Sequence, residues 1–229
     1  MSPLPIPRAL LLDLDGTLID SAPDLAQALN AVLAGRGLPP LDMPSVRARV
    51  GHGVGRLVES GFAAVGAPLE GEALAKAQDE MMTCYAAGLT DRTELIAGTE
   101  ALIAACALRG IALACVTNKP AAMARTILRK FGVVHRMSLV LGGDGPLPRK
   151  PAPDPLLAAV AYLGVAPGEA WMVGDGMPDM QAARAAGIPA VAVLSDYGSE
   201  RPDARHADVL VDSLHDVVAL IERTCAAAA

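Results

Sequence analysis

The chain has 229 residues, 52% hydrophobic and 3% aromatic, with 19 Lys+Arg against 25 Asp+Glu and a net charge of −6. Such a length buries a real core in one large domain or a domain with a smaller companion, and such apolar content excludes a disordered chain. An acidic balance with so few rings argues against nucleic-acid binding, which needs basic stripes and stacking platforms. A phosphorylated substrate stays admissible, because one metal ion and a lysine invert the local field.

The first apolar run, Ala9 to Leu12, is cut by Asp13 and has no basic stretch before it. Neither a signal peptide nor a membrane span is expected there. A strand is predicted over Ala9–Leu14. From Asp20 to Thr90 only helical patterns follow. Ser21 and Asp24 form a possible capping box, and Leu25, Leu29, Val32 and Leu33 share one face. Val54, Leu57, Val58, Phe62 and Val65 make a second stripe; Leu74, Met81, Met82 and Tyr85 make a third.

Beyond Thr90 the pattern alternates. Strands are predicted over Ile111–Val116, Ser138–Leu141, Ala170–Val173, Ala190–Val193 and Val209–Val211. Helices are predicted over Thr99–Leu108, Ala121–Phe131, Pro155–Leu163 and Met177–Ala186, with Gly110, Gly132, Gly164 and Gly187 placed to cap them. Ser213 and Asp216 can box the start of a last helix. Strands without polar alternation, each followed by a helix, mark an α/β fold: a doubly wound parallel sheet buried on both faces. The helical stretch reads as an inserted cap domain, residues 20–90, seated over the carboxyl edge of a core formed by 1–19 and 91–229. Its joints fall near Leu18–Asp20 and Gly88–Asp91. Cys84, Cys106, Cys115 and Cys225 stand singly among apolar neighbours. They are expected to be buried, reduced thiols of a cytoplasmic protein, not a zinc site or disulfide frame. The only low-complexity stretch is the tail from Ala226 to Ala229.

Four patches carry chemistry. Asp13-Leu14-Asp15-Gly16-Thr17 ends the first strand, and Thr117-Asn118-Lys119-Pro120 ends the second. Arg149-Lys150-Pro151 precedes a helix, and Gly174-Asp175-Gly176-Met177-Pro178-Asp179 follows another strand. A carboxylate embedded in Ala-Leu-Leu-Leu-Asp-Leu is costly unless paired or metal-bound. Ligands of open α/β sheets bind at the strands' carboxyl ends, so the four patches should share one crevice. Asp13, Asp15, Asp175 and Asp179 beside Lys150 cannot all ionise without a cation. An all-oxygen donor set suits a hard ion, Mg²⁺ by default. A carboxylate can attack phosphorus, while the metal, Lys150, Thr117 and Asn118 balance the phosphoryl oxygens.

In this order and spacing the patches resemble the four motifs of the haloacid dehalogenase superfamily over nearly the whole chain, and the helical stretch resembles its C1 cap. The resemblance implies that Asp13 is nucleophile and metal ligand. Asp15 would be the acid that protonates the leaving oxygen, then activates water, and would give its carbonyl to the metal. Lys150 would hold the phosphoryl group and orient Asp13; Asp175 would ligate the metal and Asp179 support it. An acid two positions after the nucleophile implies phosphate transfer instead of dehalogenation. Asp20-Ser21-Ala22-Pro23-Asp24-Leu25, Val50-Gly51-His52-Gly53, Thr117-Asn118-Lys119-Pro120 and Lys150-Pro151-Ala152-Pro153 resemble the branch that hydrolyses 2-phosphoglycolate. Asp175-Gly176-Met177-Pro178 and Ser195-Asp196-Tyr197-Gly198 depart from its pattern, so a sugar phosphate, pyrophosphate or another small phosphoester stays an alternative. A phosphomutase is disfavoured by Thr17, and a non-catalytic phosphate-binding protein by the presence of both Asp13 and Asp15.

Partners follow from the same reading: a small phosphorylated metabolite, no nucleic acid, no membrane, and a monomer or homodimer. Gly53, whose backbone could approach an anion, and Arg56, which could pair a carboxylate, are the candidates for choosing the substrate. The alternative is a plain helix–helix loop with Arg56 in solvent. His52 is expected to be structural. Lys119 lies next to the phosphate donors or points to water, and Gly142-Gly143-Asp144-Gly145 is expected to be a mobile connection near Lys150.

Overall fold

A computed structural model describes residues 4–198 and 200–227; the last two alanines of the tail lie outside it. Strand β1 (Ala9–Leu12) leads through β2 (Ile19–Asp20) into four helices: α1 (Ala22–Ala34), α2 (Met43–Arg47), α3 (Val54–Ala64) and α4 (Gly71–Ala87). β3 (Glu94–Leu95) pairs antiparallel with β2 and brings the chain back to α5 (Thr99–Arg109) and β4 (Ala112–Val116). There follow α6 (Ala121–Lys130), β5 (Leu139–Leu141), α7 (Asp154–Leu163), β6 (Ala170–Gly174) and α8 (Met177–Ala186). β7 (Ala190–Val193), β8 (Val209–Val211) and α9 (Leu214–Ala226) complete the described chain.

Six strands form one parallel sheet in the order β5-β4-β1-β6-β7-β8, the doubly wound α/β fold that the alternation implies. Each strand feeds both faces. Leu10, Leu12, Leu113, Cys115, Trp171 and Val173 pack with α5, α6 and α9, whereas Ala9, Leu11, Ala114, Val116 and Met172 pack with α7 and α8. Two buried faces explain the unbroken apolar runs. Burying each leucine of β1, all 0% exposed, contributes about 1.5–3 kcal/mol. β1 ends at Leu12, two residues short of the predicted Leu14, because the Leu14 carbonyl accepts the N–H groups of Thr17, Leu18 and Ile19 and rolls the chain into a turn.

The helices between β2 and β3 close over their own cluster, in which Leu25, Leu29, Leu33, Leu57, Phe62 and Met81 are buried. α2 and the β2–β3 ribbon were not foreseen, being too short to show a period. Asp42 caps α2 by accepting the Ser45 N–H at 2.9 Å. The Ser213 cap holds, its hydroxyl accepting the Asp216 N–H. The Ser21–Asp24 box does not form. The Ser21 hydroxyl donates to Asp15, and Asp24 accepts the Arg92 and Thr93 N–H groups and the Thr93 hydroxyl. Cys106 and Cys115 are buried as expected, but Cys84 is exposed on α4 and Cys225 partly so, because both lie off their helix's buried stripe. Among the described residues no helix is long and apolar enough to cross a membrane.

Candidate active site

The order in which strands are added reverses at β1: β4 and β5 lie on one side, β6 to β8 on the other. Register sets Leu12 opposite both Cys115 and Val173, so Asp13, Thr117 and Asp175 emerge together at the sheet's carboxyl edge. This is the switch point where α/β sheets open a crevice. Gly16 makes the turn possible. Its φ is +86°, and a Cβ there would come within 2.3 Å of Asp175 and 2.8 Å of Tyr197.

Lys150 Nζ lies between two carboxylates, donating to Asp13 Oδ1 at 2.8 Å and Asp179 Oδ1 at 2.6 Å, with the Val116 carbonyl at 2.6 Å. Burial opposes its charge, but Asp13 and Asp179 outweigh burial and hold the ammonium above its ordinary range. Asp13 is pushed up to about 6, by burial first and the charge of Asp179 next, with Lys150 pulling the other way. Asp175 rises further, to about 8, through burial and then Asp13 and Asp179, although the Thr17 and Ser195 hydroxyls each donate to it at 2.7 Å. Asp179 also accepts the Gly176 N–H at 3.1 Å.

Asp15 has a cation of its own. Lys119 Nζ donates to Asp15 Oδ1 at 2.7 Å and lies 4.8 Å from the centre of the Tyr85 ring on α4, with its side chain 2% exposed. Burial again opposes the charge and Asp15 and Tyr85 overcome it. The alternative of Lys119 pointing to water is therefore corrected. The signal was available: residues between a strand end and Pro120 sit on the carboxyl edge with Thr117 and Asn118.

The donor set fits a hard cation. Asp13, Asp175 and Asp179 offer oxygens within 4.8 Å of one another, all three residues buried, and among the described residues no sulfur or imidazole joins them. Ionised together, the four carboxylates would carry two more negative charges than the two lysines balance, the complement of one divalent ion.

A crevice lined by Asp13, Asp15, Thr117, Asn118 and Lys119 runs up to Leu25, Val50, Gly53 and Leu57 of the helical insertion. Beside it a cavity of about 230 Å³ reaches Asp175, Asp179, Tyr197 and His52. Gly53, with φ +88°, lines this crevice. Arg56 does not. It is 71% exposed, pairs with Glu59 at 2.7 Å, and lines a separate surface hollow, because the helix turns Leu57 and Val58 inward. Thr117 lines the crevice, but the Asn118 amide donates to the Gly51 and Lys150 carbonyls, tying the insertion to the Lys150 loop. In the Gly142–Gly145 connection Gly142 and Gly143 are packed, while Asp144 and Gly145 are exposed. Gly143 N–H donates to the Lys119 carbonyl, and a Cβ on Gly143 would come within 2.6 Å of the Asn118 oxygen. Tyr197, in the loop that departs from the family pattern, donates to Asp20 at 2.6 Å and accepts the Ala22 N–H at 2.8 Å, while Arg47 of α2 pairs with Asp20. That clasp joins core, joint and insertion.

A parallel α/β sheet with opposed carboxylates and a lysine at its switch point has the build of a hydrolase working on an anionic group. The chain belongs to the haloacid dehalogenase-like hydrolases, whose family model matches residues 7–187. It is 41% identical over 208 residues to a phosphoglycolate phosphatase of Xanthomonas campestris pv. campestris, covering 90% of this chain and 92% of that one. A phosphoglycolate phosphatase of Xylella fastidiosa (strain Temecula1) is 38% identical over 211 residues, covering 91% and 90%. Among solved structures, a predicted phosphoglycolate phosphatase from Haemophilus somnus 129PT superposes with a TM-score of 0.85 at 28% identity, over 96% of this chain and 99% of that one.

Proposed function

We propose that this chain is a Mg²⁺-dependent phosphatase that hydrolyses 2-phosphoglycolate to glycolate and phosphate through a phosphorylated Asp13. The observation that carries the reading is Lys150 Nζ, held between Asp13 and Asp179 with Asp175 alongside. In this reading Lys150 binds Asp13 Oδ1 and leaves Oδ2 to attack phosphorus. Asp15 gives a proton to the leaving glycolate oxygen as the P–O bond breaks, then takes one from the water that hydrolyses the acyl phosphate. Asp13 and Asp175, with the Asp15 carbonyl and with Asp179 supporting them, would hold the cation, which supplies positive charge against the phosphoryl oxygens. The insertion, residues 20–90, would act as a cap domain that excludes water from the first step and opens for release. The same reading has the enzyme working as a monomer or homodimer in the cytoplasm, where its free cysteines stay reduced. A panel of small phosphate esters, including a sugar phosphate and pyrophosphate, assayed for released phosphate with and without chelator, tests it. Highest turnover on 2-phosphoglycolate, lost with chelator, is the expected result; chelator-insensitive release overturns the metal dependence.

Two further outcomes follow. Arg56→Ala should change kcat/KM by no more than about twofold, the effect of an ordinary surface substitution, and equally for esters with and without a carboxylate. A selective rise in KM for 2-phosphoglycolate would restore Arg56 as its partner. Second, the folded carboxyls of Asp13 and Asp175, at about 6 and 8, keep protons that the unfolded chain releases near 3.8. Without metal, stability therefore falls as pH rises through that window, and a bound cation removes the penalty. The rise in Tm on adding Mg²⁺ should grow between about pH 5 and pH 8. A rise independent of pH would mean the ion binds elsewhere.

A further inference from the structure

We propose that Lys119 is the specificity-determining residue of this reaction, its ammonium receiving the carboxylate of a substrate whose phosphoryl group lies on Asp13; the inference rests on the phosphatase reading. With Arg56 facing away, Lys119 is the cation among the described residues lining the crevice shared by Asp13, Thr117 and the insertion. An ammonium has three donors. Asp15 Oδ1 takes one at 2.7 Å, and the Tyr85 ring, 4.8 Å away, faces the charge from α4. This leaves donor capacity beside the crevice. The Tyr85 hydroxyl is itself buried without a well-formed hydrogen bond.

The substrate's own connectivity gives the placement. In 2-phosphoglycolate the carboxylate carbon is two bonds from the bridging oxygen that Asp15 protonates. A cation bonded to Asp15 therefore stands where that carboxylate arrives. The apolar walls, Leu25, Val50, Val54 and Leu57, offer a longer polar chain nothing to bond, and they strengthen the attraction by excluding water. Esters with no second anion leave the Lys119–Asp15 pair as it is and gain nothing from it.

The test is steady-state kinetics of the metal-loaded enzyme on 2-phosphoglycolate and on ethyl phosphate, in which a methyl replaces the carboxylate. Wild type should prefer 2-phosphoglycolate. Lys119→Met keeps the apolar stem against Tyr85 and should lower that preference by about 10- to 100-fold, chiefly through KM, the size of a lost hydrogen bond to a charged group. Lys119→Arg should recover part of it. An equal loss on both esters would mean that Lys119 acts only through Asp15, and the proposal falls. Should the variants not fold, wild type alone decides: 3-phosphonopropionate should inhibit at least about tenfold better than propylphosphonate, and equal inhibition overturns the proposal. Wild type releasing phosphate from neither ester overturns the phosphatase reading instead; release from both with equal efficiency overturns only the role of Lys119.

Discussion

Asp13→Asn should reduce turnover by a factor on the order of 10⁶, the scale of losing a covalent nucleophile, while leaving the protein folded. A carboxamide occupies the same volume but cannot displace an alkoxide from phosphorus. Lys150 keeps Asp179 as its anion and the Val116 carbonyl as an acceptor, so removing one carboxylate does not strand a buried cation. Asp13 is itself strained toward its neutral form, at about 6, so a neutral isostere at that position gives up little. Rapid acid quench of wild type with ³²P-labelled substrate should trap label on the protein, and the variant should trap none. Label of equal amount in the variant would move the nucleophile elsewhere. Near-normal turnover would remove Asp13 from the chemistry altogether.

Most of the sheet was legible because both of its faces are buried. A strand covered on both sides has no polar alternation, and a carboxylate at the end of such a run stands out as a cost needing a partner. That anomaly located Asp13, and strand ends located Thr117 and Asp175. What the sequence could not give was set by contacts far along the chain. Ser21 and Asp24 have the spacing of a cap, yet Ser21 donates to Asp15 and Asp24 accepts from Arg92 and Thr93, because tertiary acceptors and donors outcompeted the local ones. Lys119 sits on the carboxyl edge that strand ends predict, but its bond to Asp15 and its place by the Tyr85 ring, which the packed insertion brings near it, join residues far apart along the chain. Arg56 was decidable from helix geometry alone. Leu57, Val58 and Phe62 define the inner face, Arg56 lies off it, and Glu59 three residues on is the natural surface partner.

Asp15→Asn should lower steady-state turnover of 2-phosphoglycolate by about 10²–10⁴, the contribution of a general acid–base group. Glycolate leaves as a basic alkoxide unless protonated, so the first step slows. The second slows too, because the attacking water loses its base. The Asn carbonyl still accepts from Ser21, but Lys119 keeps only the Tyr85 ring against its buried charge, so the variant should also show a lowered Tm. Leaving-group chemistry separates Asp15 from a mere structural support. p-Nitrophenol departs without a proton, so with p-nitrophenyl phosphate the variant's first step should run near the wild-type rate while dephosphorylation stays slow. A pre-steady-state burst of p-nitrophenol, close to one per enzyme and followed by slow release, is the expected trace in stopped flow. A uniform loss on both substrates with no burst would mean that the substitution damaged binding or the nucleophile, and the proton would have to come from another group. Wild-type turnover on 2-phosphoglycolate would remove Asp15 from both steps.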